Sequence, residues 1–115
     1  MIETKRTMTP TITILEQVHK CRKLSLSLDL QHYILDKIFD HYRYFNSKKI
    51  AKDYLGDTNI IDMQYNHQLN DEDRKILMRY TFRISRFLGI LKLLGFIERY
   101  NSTQFRKTEL MTYPN

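Results

Sequence analysis

The strongest structural pattern in the sequence lies in Arg79–Tyr100, RYTFRISRFLGILKLLGFIERY. Together with the residues just before it, this stretch carries apolar side chains at helical spacing, namely Leu77, Tyr80, Ile84, Leu88, Leu91 and Leu94. Because one turn of an α-helix takes about 3.6 residues, this spacing predicts a long helix with one buried side. The run Asn70–Asp73, which has three acidic residues, suits the positive end of the helix dipole, and Gly95 suits the C-terminal end.

The residues that follow Gly95 predict a small β-hairpin. Two segments, IERY and QFRKTELMTY, flank the polar residues Asn-Ser-Thr. Polar residues with a preference for turns, placed between strand-like segments, are typical of a hairpin tip. We therefore expect a hairpin over residues 97–113 with its tip at Asn101–Thr103.

Two shorter helices are predicted upstream of the long one. The first runs from Leu30 to Phe45, and its apolar face is made of Leu30, Ile34, Ile38, Tyr42 and Phe45. Ser47 is a good N-cap for the second helix, KKIAKDYL, and Gly56 stands where helices commonly stop.

An N-terminal extension, residues 9–28, is expected to hold a further helix. Thr9 and Pro10 suit a helix start. Helical spacing to about Lys23 gives this helix an apolar face of Ile12, Leu15, Val18 and Cys21. The β-branched residues at its start and the leucines that alternate with polar residues after Lys23 leave short strands open as the alternative.

Length and composition predict a single intracellular domain, residues 1–115, with residues 1–8 flexible. The chain has 115 residues, 42% of them hydrophobic, which suffices for one core. Charges interrupt every apolar segment, so we expect no membrane span, and no signal peptide is visible. Cys21 is the single cysteine, which suits a reducing compartment.

Positive charge is concentrated in one segment. The chain has a formal net charge of +6, and the segment from Arg74 to Lys107 contains nine Lys or Arg residues but only one acidic residue, Glu98. Such a segment favours a polyanionic partner, of which nucleic acid is the commonest.

Three features together resemble the winged helix-turn-helix family of DNA-binding proteins. Ser47–Leu55 resembles the positioning helix, Arg79–Tyr100 resembles the recognition helix that turns into the first wing strand, and the hairpin after it resembles the wing. One departure is the length of residues 57–70, an insertion where the family has a short turn. The resemblance implies a mainly α fold with a small β-hairpin (α+β), and a sequence-specific transcriptional regulator that binds double-stranded DNA, commonly as a homodimer.

The candidate DNA contacts of the long helix lie opposite its apolar side. Arg79, Arg83 and Arg86 follow i, i+4, i+7 spacing, and arginine suits bidentate contact with guanine or phosphate. The alternative is a solvated face paired with acidic neighbours such as Asp71 and Asp73. Phe82 could contact a thymine methyl group, although burial against another part of the chain is the favoured interpretation.

Further candidate contacts come from the shorter elements. Lys48 and Lys49 begin the short helix and could meet a phosphate, or they are ordinary surface lysines. The wing candidates are Asn101, Ser102, Thr103, Arg106 and Lys107. For the tip, the alternative is a simple hairpin turn.

No catalytic, cofactor or metal site is predicted, so we do not expect an enzyme. The three glycines form no phosphate-binding or dinucleotide motif, and the sequence contains neither HxxxH nor CxxC. No small-molecule effector is evident.

Two alternatives to a specific regulator stay open. A winged-helix module of replication or transcription machinery would use the same surface to bind protein, and an architectural protein would coat DNA without sequence preference. Ile90 and Leu93 fall near the outward side of the long helix, which suggests cover by the N-terminal segment or by a second subunit. The N-terminal helix is the candidate dimer element.

Overall fold

The computed structural model describes residues 10–62 and 69–111, which form four α-helices followed by two short strands. The elements in chain order are α1 (Thr11–Cys21), α2 (Leu28–Asp40), α3 (Ser47–Asp57), α4 (Asp71–Leu93), β1 (Ile97–Arg99), β2 (Phe105–Lys107) and a 3-10 turn (Glu109–Met111). The strands pair antiparallel, with Ile97 opposite Lys107 and Arg99 opposite Phe105. The predicted mainly α architecture with a small β-hairpin is confirmed.

α4 begins and ends where the sequence predicts. The side chain of Asn70 accepts a hydrogen bond from the amide of Asp73 at 2.8 Å, and three acidic residues fill the first turn. After Leu93 the chain turns at Gly95, whose φ of +87° is costly for any residue with a Cβ. The helix therefore carries its own start and stop signals.

One side of α4 lies in the core and packs mainly on α3, with further contacts to α1 and β1. The buried residues of α4 are Leu77, Ile84, Phe87, Leu88, Ile90 and Leu91. Ile90, which we expected to face outward, is buried within the chain, whereas Leu93 is 79% exposed. The partial burial of Tyr80 and Leu94 matches the predicted apolar side.

α2 starts and ends earlier than predicted. The side chain of Ser27 caps it by accepting from the amide of Leu30, and the helix ends at Asp40 instead of Phe45. Tyr42 and Phe45 are buried as expected, but they reach the core from the segment after the helix. Phe45 forms an isolated antiparallel bridge with Phe105, and this pairing requires extended backbone there.

α3 is longer than predicted at both ends. Asn46, not Ser47, is its N-cap, because the Asn46 side chain accepts from the amide of Lys49 at 2.8 Å. Gly56 lies inside the helix, so its assignment as the stop was wrong. Asn59 supplies the left-handed conformation after the helix, with a φ of 59°, and asparagine tolerates that region better than most residues.

The N-terminal extension contains a helix, α1, and no strand among its described residues. Leu15 and Val18 are buried, but Ile12 is 69% exposed and Cys21 is exposed, so half of the predicted apolar face is wrong. The buried position next to Leu15 is Ile14 instead. Residues 1–8 lie outside the described residues.

The hairpin is shorter than the predicted 97–113. Its strands end at Lys107, and Glu109–Met111 forms the 3-10 turn that brings the buried Met111 to the core. Residues 112–113 lie outside the described part of the chain, as does the middle of the 57–70 insertion. Within the described ranges, no helix is both long and apolar enough to cross a lipid bilayer.

Candidate nucleic-acid interface

The three arginines predicted to form a stripe lie on the side of α4 away from the core. Arg79 and Arg86 are exposed and Arg83 is half-buried. Within residues 10–62 and 69–111, none of the three forms an ion pair; the one ion pair of α4 joins Arg74 to Asp71 at 4.0 Å. The alternative in which acidic neighbours pair with the stripe therefore does not describe these arginines. Like charges at this spacing repel one another by a few tenths of a kcal/mol, which an anion would relieve.

Phe82 is exposed, and the expectation that it would be buried was wrong. Its exposed fraction is 62%, and Met78, one turn earlier on the same side, is 70% exposed. The guanidinium of Arg86 lies 5.0 Å from the centroid of the Phe82 ring. A cation–π contact at an exposed site contributes about 0.5–1 kcal/mol, so it orients Arg86 without burying it.

The N-terminal end of α3 brings Lys48 to the same surface. Lys48 lines a shallow depression together with Arg74, Met78 and Phe82 of α4. We call this surface, with the stripe Arg79, Arg83 and Arg86 along its edge, the basic α4 face. Its apolar centre was missed from sequence, although extending the outward side by one turn from Phe82 would have included Met78.

Lys49 lies beside Lys48 in a second shallow depression at the start of α3. The Lys49 ammonium lies 5.4 Å from the ring centroid of Tyr42, and Lys52 and Asp53 line the depression with the two lysines. The hydroxyl of Tyr42 donates to Asp53 at 2.5 Å. Asp53 is thus the acidic group of the depression that Lys48 and Lys49 share, whereas no described acidic side chain lines the depression that Lys48 shares with α4.

The hairpin tip is organised by Asn101 and tied to α3. The side-chain oxygen of Asn101 accepts from the amides of Thr103 and Gln104, both at 2.9 Å, so Asn101 is committed to the turn. The side-chain nitrogen of Asn46 donates to the carbonyl of Thr103 at 3.2 Å. Ser102 and Thr103 are exposed at the tip, and the Asn46 bond holds them beside the start of α3.

The two predicted basic residues of the second strand are engaged within the chain. Lys107 is half-buried and donates at 2.6 Å to the carbonyl of Phe39, near the C-terminal end of α2; its assignment as a DNA contact stays a prediction. Arg106 pairs with Glu98 at 2.6 Å, which balances its charge. Arg99, which the sequence did not single out, is exposed and donates to the carbonyl of Ser102.

A pair of stacked tyrosines lies at the base of the hairpin tip. The rings of Tyr44 and Tyr100 are 4.0 Å apart between centroids, and the guanidiniums of Arg43 and Arg106 lie 5.7 and 5.6 Å from the Tyr44 and Tyr100 centroids respectively. Hydrogen bonding to Tyr44 raises the pKa of Tyr100 above its usual value. The stack joins the segment before α3 to the hairpin.

A second surface, on α1 and α2, carries the opposite charge. Glu16, Asp36, Ile12 and Leu28 line a shallow depression there, together with Thr11, Leu15, His19 and His32. In the described part of the chain, no three His, Cys, Asp or Glu side chains are grouped closely enough to hold a metal ion. We call this surface, in which Glu16 and Asp36 lie near the exposed side chains of Ile12 and Leu28, the acidic α1–α2 face.

Comparison with known proteins supplies no relative from which a function can be carried over. No protein-family model, curated protein or solved structure matches the chain. The chemistry and placement of the residues described above are therefore what bears on function.

Proposed function

We propose that the chain is a winged helix-turn-helix protein that binds double-stranded DNA as a sequence-specific transcriptional regulator. Elements α3, α4 and β1–β2 follow one another in the order in which the sequence resembles positioning helix, recognition helix and wing. The Phe45–Phe105 bridge and the Asn46–Thr103 hydrogen bond hold the hairpin beside the start of α3, as a wing next to a positioning helix requires.

The single observation that carries the proposal is the set of arginines of the basic α4 face that have no ion pair within the described residues. An α-helix fits the major groove of B-form DNA, and Lys and Arg that neutralise phosphates supply much of the affinity. Arg79 and Arg86 are exposed along a helix that the core holds from the other side. A rigid row of guanidiniums of this kind suits phosphate and guanine alike.

The apolar centre of the face suits base contact within the groove. Phe82 and Met78 lie between the arginine stripe on one side and Arg74 and Lys48 on the other. The thymine methyl group is the apolar feature of the major groove, and an aromatic or aliphatic side chain can contact it. The basic side chains at the edges of the face thus suit the phosphates on either side of the groove. The apolar side chains at its centre suit the base edges within the groove.

Contacts at the periphery would set the position of the protein on the duplex. The amides at the N-terminus of α3 and Lys48 beside them suit one phosphate. Ser102, Thr103 and Arg99 at the hairpin suit another, and phosphate contacts fix register rather than sequence.

The test is a selection from random duplex DNA, followed by fluorescence anisotropy on the enriched site. We expect enrichment of a defined motif, a steep loss of affinity with salt, and a loss of about 1–3 kcal/mol for Arg79→Ala or Arg86→Ala. Lys20→Ala, which removes an exposed cation from α1, is the matched control and should change affinity by much less. Unchanged affinity in both arginine variants would show that α4 does not contact DNA.

A second candidate is a winged-helix module that binds protein through the same face. The exposure of Met78, Phe82 and Leu93 favours it, because apolar side chains of this size commonly mark interaction surfaces when they cluster. No enriched motif, combined with weak and salt-labile binding to every duplex, would favour this module or a non-specific architectural role over a regulator.

A further inference from the structure

Two depressions of opposite charge lie on different helices of the same chain, and each has exposed apolar side chains at its centre. The basic α4 face has Met78 and Phe82, 70% and 62% exposed. The acidic α1–α2 face has Ile12 and Leu28, 69% and 54% exposed. These four residues are half of the large hydrophobic side chains that are exposed among the described residues, and they fall in only two places.

The charges around the two centres are complementary. Lys48 and Arg74 line the basic depression, where the described residues include no Asp or Glu. Glu16 and Asp36 line the acidic depression, and no Lys or Arg among the described residues does. An apolar contact bordered by such charges aligns the correct partner and disfavours like-charged ones.

The two faces do not contact each other within one folded chain. Both remain exposed in the folded molecule, because α1 and α2 present one and the N-terminal parts of α3 and α4 present the other. A second copy brings the missing surface with the right charge and the right apolar content.

We propose that the chain self-associates head to tail, with the acidic α1–α2 face of one copy on the basic α4 face of the next. When one patch of a protein binds a different patch on the next copy, the copies assemble into closed rings or open chains. The contact is small and belongs to the weak, reversible class. Because it covers the same face as the proposed DNA contact, DNA and self-association exclude each other, but self-association itself does not depend on DNA binding.

Sedimentation velocity of the full chain without DNA tests the contact directly. Between about 10 μM and 1 mM protein, which spans weak reversible association, we expect the average mass to rise above the 14.0 kDa of one chain. Raising the salt from about 50 mM to about 500 mM should shift the assembly back to monomer, because the charges lie in solvent. A single 14.0 kDa species across the whole range overturns the proposal.

A complementation experiment identifies the two faces. Ile12→Ser with Leu28→Ser removes the apolar centre of one face, and Met78→Ser with Phe82→Ser removes that of the other. Each double variant alone should remain monomeric, whereas their equimolar mixture should form dimers, since one intact contact remains. Ile60→Ser, at an exposed apolar position outside both faces, is the control and should assemble like the parent chain.

The outcomes separate this proposal from the proposed function. A mixture that stays monomeric, or a double variant that assembles as well as the parent, overturns head-to-tail association. Neither result bears on DNA, because Ile12→Ser with Leu28→Ser leaves the basic α4 face intact and should bind duplex DNA with unchanged affinity. Loss of DNA binding in the Arg79→Ala and Arg86→Ala variants tests the function independently.

Discussion

The amide of Phe45 donates to the carbonyl of Phe105 at 3.0 Å, and the amide of Phe105 donates back to the carbonyl of Phe45 at 2.7 Å. This reciprocal pair joins the segment between α2 and α3 to the second strand of the hairpin. Phe45 is fully buried, and the next residue, Asn46, caps α3. The buried Phe45 therefore fixes the second strand of the hairpin next to the start of α3.

Phe45→Ala should destabilise the chain strongly. Loss of a fully buried phenyl ring costs about 3–5 kcal/mol in free energy of unfolding, and here it also loosens the hairpin. Phe82→Ala is the matched control, because the same ring is 62% exposed there and its loss, including the contact with Arg86, should change stability by about 1 kcal/mol or less. Urea denaturation measures both, and similar losses in the two variants would contradict the assigned burial.

Asn46 should have two separable roles. Asn46→Ala removes the cap of α3, at a cost of about 1 kcal/mol, and also the bond to Thr103. Asn46→Asp keeps an acceptor for the amide of Lys49 but has no N–H to give Thr103. We expect the aspartate variant to recover most of the stability lost in the alanine variant, yet to show faster amide exchange at Gln104. Equal exchange in Asn46→Asp and the parent would mean that the Thr103 bond does not hold the tip.

The two glycines of the α4 region should respond in opposite directions to alanine. A Cβ at Gly89 meets nothing within 4 Å, so Gly89→Ala in the helix interior should raise stability by about 0.5–1 kcal/mol. Gly95 has a φ of +87°, so Gly95→Ala should lower stability by about 1–2 kcal/mol although space is available. Thermal unfolding midpoints report both changes, and a rise for Gly95→Ala would contradict the left-handed turn.

Tyr42 should make stability fall at high pH. Burial, and then the hydrogen bond to Asp53, raise the pKa of Tyr42 well above its usual value. In the unfolded chain this hydroxyl ionises near pH 10, so above that pH the unfolded state binds fewer protons and folding stability declines. Tyr42→Phe should cost about 1–2 kcal/mol at pH 7 through the lost hydrogen bond, yet it should flatten the decline between about pH 10 and pH 11. Urea denaturation at about pH 10 and pH 11 measures how far the free energy of unfolding falls over this interval. An equal fall in Tyr42→Phe and the parent chain would show that Tyr42 does not cause it.

The parts of the fold that depend on local chemistry could be predicted from sequence. The start of α4 at Asn70 and its turn at Gly95 follow from side-chain capping and backbone freedom, which a few neighbouring residues determine. The outward position of Arg79 and Arg86 follows from the apolar period of the same helix. For these features, the interactions that determine the structure lie within α4 and its two ends.

The remaining features could not be predicted from a local pattern alone. Lys107 looked like a wing cation, but the end of α2, which lies many residues away, accepts its hydrogen bond. Phe82 looked like a core residue because its type favours burial, but it lies on the side of α4 away from the core and is 62% exposed. Gly56 resembled a stop, yet Asn59 ends the turn because it adopts the left-handed conformation instead. Lys107 has a partner far away in the chain, whereas Asn59 lies only three residues from Gly56 and adopts a conformation open to either residue type.

The stacked pair Tyr44 and Tyr100 gives the chain a built-in optical reporter. The sequence has eight tyrosines and no tryptophan, so its near-ultraviolet absorption and emission come mainly from phenol rings. Two such rings at 4.0 Å couple their electronic transitions and contribute a circular dichroism signal that separated rings lack. Because the pair bridges the hairpin and the segment before α3, a ligand that displaces the hairpin changes that signal without any attached dye.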